Sequence, residues 1–382
     1  MKTLIELYSD RTIENIIGPE TFLPERVVYL CPPEIARNRR LQERLRAFMA
    51  GRGHDFTLEF AECSMYRPEE IVAQLRAIGG DCTVDITGGT DAALFAAGQF
   101  CAESGTPVFT YSHNRGRFYN IQAAPFAEGL PCTLRYTVRD FFAMAGGTLR
   151  EGRVNNDILG QYLDSFDAFF RIYLKYRTEW IAAVHFLQRA SQDSTGLEVD
   201  SPLRQKGDHG SVIDVNEPLL RDLEAIGYLE ALSVGERVTF RFRDHQIRTW
   251  LRDMGSVLEL YMYKACLDAD CFDDVVSSAV VEWDEKVSNE IDAVAGRGIL
   301  PLFISCKICD VRTEALNELA ILRDRFGGKG AKAVIVTTES CNAAARHRAA
   351  QLGIAVIDLE ELQAGKAAAR LQVIMKVREQ LE

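Results

Sequence analysis

In the run NEIDAVAGRGILPLFISCKIC, from Asn289 to Cys309, an acid, a serine and a lysine stand where a hairpin would bring them together. Two apolar stretches flank a turn containing Gly296, Arg297 and Gly298. Side chains on a strand alternate faces, so Ser305 and Lys307 share one face of the second strand, with Ile304 and Cys306 on the other. Across the turn, Asp292 and Glu290 share a face, with Ile291 and Ala293 opposite. Polar groups on the covered side of a hairpin are costly unless they have partners or a task. Upstream, Glu259 sits on a predicted helix with Gly255, Met262 and Tyr263 as helical neighbours, a largely apolar setting for a carboxylate. Two carboxylates and a lysine suit metal-assisted phosphodiester hydrolysis. Carboxylate oxygens hold Mg2+ or Mn2+, the metal polarises the phosphate and activates a water, and the lysine orients that water or offsets phosphate charge. The alternative is a structural Asp292–Lys307 ion pair tying the hairpin together.

A second constellation is VDITGGTDAAL, where Thr87, Gly88, Gly89 and Thr90 join a predicted strand to a predicted helix. The N–H groups of a helix start have no partners within the helix, and two glycines let a phosphate approach the backbone closely. Thr87 and Thr90 would add hydroxyl donors. Open α/β sheets bind ligands beyond the C-terminal ends of their strands. That rule brings Ser9 and Asp10, after the first strand, to the same crevice, and with them Ser112, His113 and Asn114. The alternative is a tight turn with Thr90 or Asp91 as a helix cap. No GK[ST] follows the glycines, and no GxGxxG is present here.

The elements that must position these groups follow a rhythm. TLIELY, RVVYLC, FTLEF, CTVDIT and PVFTYS are strand candidates. They alternate with helical stretches, two of which open on proline. This implies βαβ units and a mainly parallel, Rossmann-like sheet over residues 1–145. Residues 146–244 read as a connector. An aromatic-rich helical part precedes PLLRDLEAIGYLEAL and ERVTFRF, a helix, a turn at Gly227 and a hairpin that resemble a winged helix. Over residues 245–382 the α/β alternation returns.

The formal net charge of −11 argues against a protein that coats nucleic acid through bulk charge. It leaves room for a carboxylate-rich metal site. No apolar run approaches the roughly 20 residues of a membrane span, and the start of the chain lacks the form of a signal peptide. Ten cysteines are scattered mostly through apolar runs, so a reducing, cytoplasmic setting is expected. Cys306 and Cys309, with Cys266 and Cys271, mimic a zinc pattern. However, Cys266 lies in a predicted helix, Cys306 in a strand interior, and no His stands at ligand spacing.

LIELYSDRTIENII, RVVYL and DITGGTDAAL together resemble the CARF domain of CRISPR-associated proteins, a Rossmann-like sensor of cyclic oligoadenylates. GSVLELYMYKAC, NEID and FISCK resemble a PD-(D/E)xK, restriction-endonuclease-like domain. In this order they look like type III CRISPR ancillary nucleases activated by cyclic tetra-adenylate. The resemblance implies ligand contacts from Ser9, Asp10, Thr87, Gly88, Gly89, Thr90, Asp91 and Asn114. It implies a nuclease site of Glu259, Asp292, Ser305 and Lys307, with Mn2+ or Mg2+ on Glu259 and Asp292. The sequence departs from the pattern at Ser305, where Asp or Glu is expected. Glu290, Glu314 or the backbone carbonyl of Cys306 would have to fill that place. The resemblance also implies a homodimer around a two-fold ligand and a DNA or RNA substrate. If the serine disables catalysis, the implied role is a sensor acting as a binding module.

Overall fold

The computed structural model describes residues 1–150, 156–192, 195–207, 211–284 and 287–376. The first sheet contains β1 (Thr3–Leu7), β2 (Arg26–Cys31), β3 (Thr57–Glu62), β4 (Cys82–Asp85), β5 (Val108–Ser112) and β6 (Arg117–Gln122). Their order is β3-β2-β1-β4-β5-β6, with β1 to β5 parallel and β6 antiparallel to β5. All five residues of β1 are buried, as a central parallel strand with both faces covered requires. From β1 the chain winds outward to β2 and β3, then returns to the other side as β4. The switch point of this Rossmann-like sheet therefore lies between β1 and β4, where such folds bind ligands. The helical stretch after β2 forms two helices, Pro33–Ala36 and Arg39–Gly51. It breaks at Asn38, whose side chain accepts the Leu41 N–H and so starts the second helix.

The C-terminal sheet takes its edge strand, β7 (Thr148–Arg150), from just beyond the first domain. The chain then leaves this sheet. Helices Leu163–Lys175, Trp180–Ala190 and Glu217–Ala225 accompany β8 (Glu198–Pro202), β9 (Arg204–Lys206), β10 (Val212–Asp214), β11 (Leu229–Val234) and β12 (Arg237–Phe242). β8, β11 and β12 form a three-stranded antiparallel sheet, and Gly227 turns at φ +74° between the third helix and β11. This is the winged-helix-like segment. Its helix Leu163–Lys175 packs on helix Ser256–Asp268, where the rings of Phe170 and Tyr261 stack at 3.9 Å.

β13 (Asp274–Asp284), β14 (Val287–Arg297), β15 (Leu300–Lys307), β16 (Lys332–Thr337) and β17 (Ile354–Ile357) complete the C-terminal sheet, in the order β17-β16-β15-β14-β13-β7. β13 to β15 are an antiparallel meander, and β15 to β17 run parallel. This is a restriction-endonuclease-like α/β arrangement. On one face Ala293, Leu302, Ile304, Cys306 and Val336 pack toward helix Ser256–Asp268 and the connector. On the other, Ile291, Val294, Phe303 and Ile335 pack toward helix Thr313–Phe326. No helix among the described residues is long and apolar enough to cross a membrane.

Candidate active site and ligand turn

β14 and β15 meet near their open end. The Cys306 N–H donates to Asp292 Oδ2 at 2.6 Å, and the Ser305 hydroxyl to the same oxygen at 3.3 Å. Lys307 Nζ lies 3.8 Å from it. The expected alternation holds on β15, where Ile304 and Cys306 are buried on the face opposite Phe303. It fails on β14. Ile291 and Ala293 were expected on one face, but they pack on opposite sides of the sheet. The ladder pairs Ala293 with Ser277 and Ile291 with Ala279, and omits Asp292 and Ser278, whose φ is +51°. Such a local break re-aims a side chain, and here it turns the Asp292 carboxylate toward β15.

Burial raises the Asp292 pKa, against the charge of Lys307 and the hydrogen bonds from Cys306 and Ser305. Burial, with the nearby carboxylates of Asp292 and Glu259, pushes the Cys306 thiol well up. Cys306 thus has Asp292 and Glu259 as electrostatic neighbours, and it is its backbone amide that holds Asp292. A shallow recess beside the hairpin is lined by Glu290, Asp292, Ser305, Lys307 and, from helix Thr313–Phe326, Glu318. Glu318 lines the recess, whereas Glu314, one turn earlier on the same side of that helix, does not. Hard carboxylate oxygens are the donors Mg2+ or Mn2+ requires, and the recess supplies them. Among the described residues, however, no three His, Cys, Asp or Glu side chains are already gathered around one metal position.

At the switch point, the glycine turn follows β4. Thr87 donates its N–H to Asp85 Oδ1 at 2.7 Å and its hydroxyl to the same atom, and the Tyr111 N–H donates to Thr87 Oγ1 at 2.8 Å. Thr90 donates its hydroxyl to the Met65 carbonyl and caps helix Asp91–Ser104 by accepting the Ala93 N–H at 3.2 Å. Both hydroxyl protons, expected as donors for a ligand, are therefore already committed within the protein. A Cβ on Gly88 would stand 2.8 Å from the Leu7 carbonyl and 2.9 Å from Ser9 Cβ. Gly89 turns at φ +93°, where a Cβ would meet Leu7 Cβ at 2.8 Å. The turn accordingly rests on the end of β1, next to Ser9. Asp10, Asp91 and Asn114 are exposed around it, whereas His113 is buried.

Beneath the turn lie two carboxyls not singled out from the sequence. Glu6 and Asp85 are register partners on β1 and β4, both 0% exposed. A Cβ on Gly18 would be 2.7 Å from Glu6 Oε1 and closer still to Asp85 Oδ2. Burial and the facing charge of Asp85 raise Glu6 well above the carboxylate range, and burial lifts Asp85 to about 7. An acid within an otherwise apolar strand, LIEL, was the available signal.

Comparison with known proteins fits this geometry. Residues 241–373 match the family model described as "Card1-like, endonuclease domain". No curated relative matches the chain by sequence. Among solved structures, VC1899 from Vibrio cholerae is similar at TM-score 0.78 and 17% identity, covering 98% of each chain. Can2 from Sulfobacillus thermosulfidooxidans, solved in complex with cyclic tetra-adenylate (cA4), is similar at TM-score 0.72 and 17% identity, covering 98% of this chain and 97% of that one. Residues 241–373 thus resemble a Card1-like endonuclease domain, and the chain as a whole shares the fold of these two structures, with a Rossmann-like domain preceding that region.

Proposed function

We propose that this protein is a metal-dependent nuclease switched on by a cyclic oligoadenylate, cA4 in the first instance, and that it cleaves DNA or RNA in type III CRISPR defence in the cytoplasm. The observation that carries the reading is Asp292 Oδ2 held by the Cys306 N–H and facing Lys307 within a Card1-like endonuclease domain. Asp292 would hold the metal with Glu290 and Glu318, which line the same recess and supply the carboxylate that Ser305 lacks, whereas Glu259 sits on the helix packed against the opposite face of the sheet, beside Cys306. The metal, when bound, polarises the phosphate and acidifies water. Lys307 orients the attacking water and offsets charge on the phosphate. Ser305 and the Cys306 amide fix the Asp292 carboxylate. In the sensor half, the backbone of Gly88 and Gly89, with Ser9, Asp10, Thr87, Thr90, Asp91 and Asn114, forms the ligand edge. Thr87 and Thr90 act there by shaping the turn. A ligand with two-fold character calls for two copies of this edge, so the active form is a homodimer.

The test is cleavage of a plasmid and of RNA with Mn2+ or Mg2+, with and without cA4. Lys307→Ala is expected to abolish cleavage and leave cA4 binding intact. Retained cleavage would show that the site is elsewhere. A second reading, a catalytically degenerate sensor acting as a binding module, is favoured by Ser305 and by the ungathered carboxylates. Binding of cA4 with no cleavage under any metal supports that reading.

A further inference from the structure

The sensor's ligand loop touches the endonuclease domain through one buried charged group. Glu14, on the turn Thr12–Asn15 after β1, is 4% exposed. Ser9 donates its hydroxyl to Glu14 Oε2 at 2.6 Å. Glu14 Oε1 lies 3.5 Å from His113 Nε2 and 3.8 Å from Arg11 Nη1. A Cβ on Gly88 would be 3.7 Å from Glu14 Cβ, so the glycine turn sits on the same residue. On the far side is the loop FGGKG, Phe326–Gly330, which joins helix Thr313–Phe326 to β16. A Cβ on Gly328 would come within 2.9 Å of Ile13, and one on Gly330 within 3.8 Å of the His113 ring. Both glycines have positive φ, +65° and +91°, so the loop's close approach depends on them. Lys329 lies between them, near enough for its charge to act on Glu14. Burial would raise the Glu14 carboxyl. The hydrogen bond from Ser9, with the His113 ring and the Lys329 charge nearby, outweighs burial and holds it below its usual range.

We infer that Glu14 is a positioning residue coupling the ligand turn to the nuclease recess. This rests on the function proposed above. Ser9 has one hydroxyl proton, and it can go to Glu14 or to a phosphate oxygen of a bound anion, not to both. An anion that takes it leaves Glu14 one donor short in a buried place, which is costly. Glu14 then turns to His113 and Lys329, and the pull falls on the FGGKG loop. That loop leads directly to helix Thr313–Phe326, which carries Glu318 into the recess, and to β16, which pairs Ile335 with Ser305 and Thr337 with Lys307. A ligand event at Ser9 is thereby converted into a shift of two of the elements that frame the site.

The test uses the full chain with cA4 as probe. Glu14→Gln keeps the shape and can still accept from Ser9, but removes the charge. Lys329→Met removes the partner charge from an exposed position. Both variants are expected to bind cA4 like the wild type, to keep cleavage without ligand unchanged, and to lose cA4-stimulated cleavage by ~10-fold or more, the scale of an inter-site coupling. The double variant should fall no further than the worse single one, because both break one link. Amide hydrogen exchange at Gly327–Gly330 should change with cA4 in the wild type and not in Glu14→Gln. Full stimulation in both variants overturns the inference, and so does loss of binding in step with activity. If Glu14→Gln fails to fold, Lys329→Met decides alone. A wild-type chain that cA4 neither binds nor stimulates overturns the proposed function itself, a result distinct from a stimulated wild type with equally stimulated variants.

Discussion

Ser305 donates its hydroxyl to Asp292 Oδ2 across 3.3 Å, so at the position where the sequence resemblance implied an acid there is instead a donor to one. A second carboxylate at this position would repel Asp292 unless a cation lay between them. The serine stabilises Asp292 without needing a metal, and it would offer one oxygen donor fewer to any metal bound here.

Replacing the serine separates these two effects. Ser305→Asp is expected to tighten Mn2+ binding and raise the cleavage rate, while Ser305→Ala loses one modest hydrogen bond, worth ~1 kcal/mol, and slows cleavage only slightly. Calorimetric Mn2+ titration with plasmid cleavage checks both. Unchanged Mn2+ affinity in Ser305→Asp would remove the metal from this end of the hairpin.

Glu318 reaches the recess from the following helix. Glu318→Gln should weaken Mn2+ binding and cleavage together, and Glu314→Gln, at an exposed position one turn away, should leave both unchanged. Equal effects of the two substitutions would assign the missing carboxylate elsewhere.

The glycine turn is close-fitting. Gly89→Ala places a Cβ 2.8 Å from Leu7 Cβ at φ +93° and should cost ~1–3 kcal/mol. Because this strain falls where the ligand would sit, cA4 affinity should drop further than the melting temperature alone suggests. Isothermal titration beside thermal melts measures the two losses.

The buried Glu6–Asp85 pair makes stability depend on pH. A carboxyl whose folded pKa is raised contributes stability in acid and loses it as pH rises through the folded value, which for Asp85 is about 7. Asp85→Asn keeps an acceptor for Thr87 and removes the charge. It should raise the melting temperature at pH 8 relative to wild type, with the gain shrinking steadily as pH falls below 7 toward the ordinary carboxylate range. A gain independent of pH would mean that the pair is not the titrating group.

Much of the fold was legible because periodicity and turn chemistry are local. Every strand candidate of the first domain has its counterpart in β1 to β5, and Gly227 and the helix starts at Pro33 and Pro68 stand where their residue types put them; the hairpin forms with a tighter turn than expected, because Gly296 and Arg297 pair with Pro301 and Leu300 and only Gly298 of the three stays in the turn. The nearness of Asp292 and Lys307 followed from alternation on a hairpin, and β15 obeys it. The chain order alone therefore fixed a Rossmann-like half, a helical connector and an α/β half.

What it left open depends on contacts between residues far apart in the chain. Alternation failed on β14 because the ladder breaks opposite Ser278, on a third strand that local pattern did not reveal. The hydroxyls of Thr87 and Thr90 turned inward because Asp85 and the Met65 carbonyl offered acceptors that would otherwise be buried without donors. Glu318, and not Glu314, lines the recess because the docking of the helix on the sheet sets which of its turns lies beside the hairpin. Lys329 comes near Glu14 and His113 only when the two halves pack. Residue types and their spacing specified which chemistry was at hand; strand register and domain packing decided which groups share a space, because burial charges its desolvation cost group by group and leaves each one the partners it finds there.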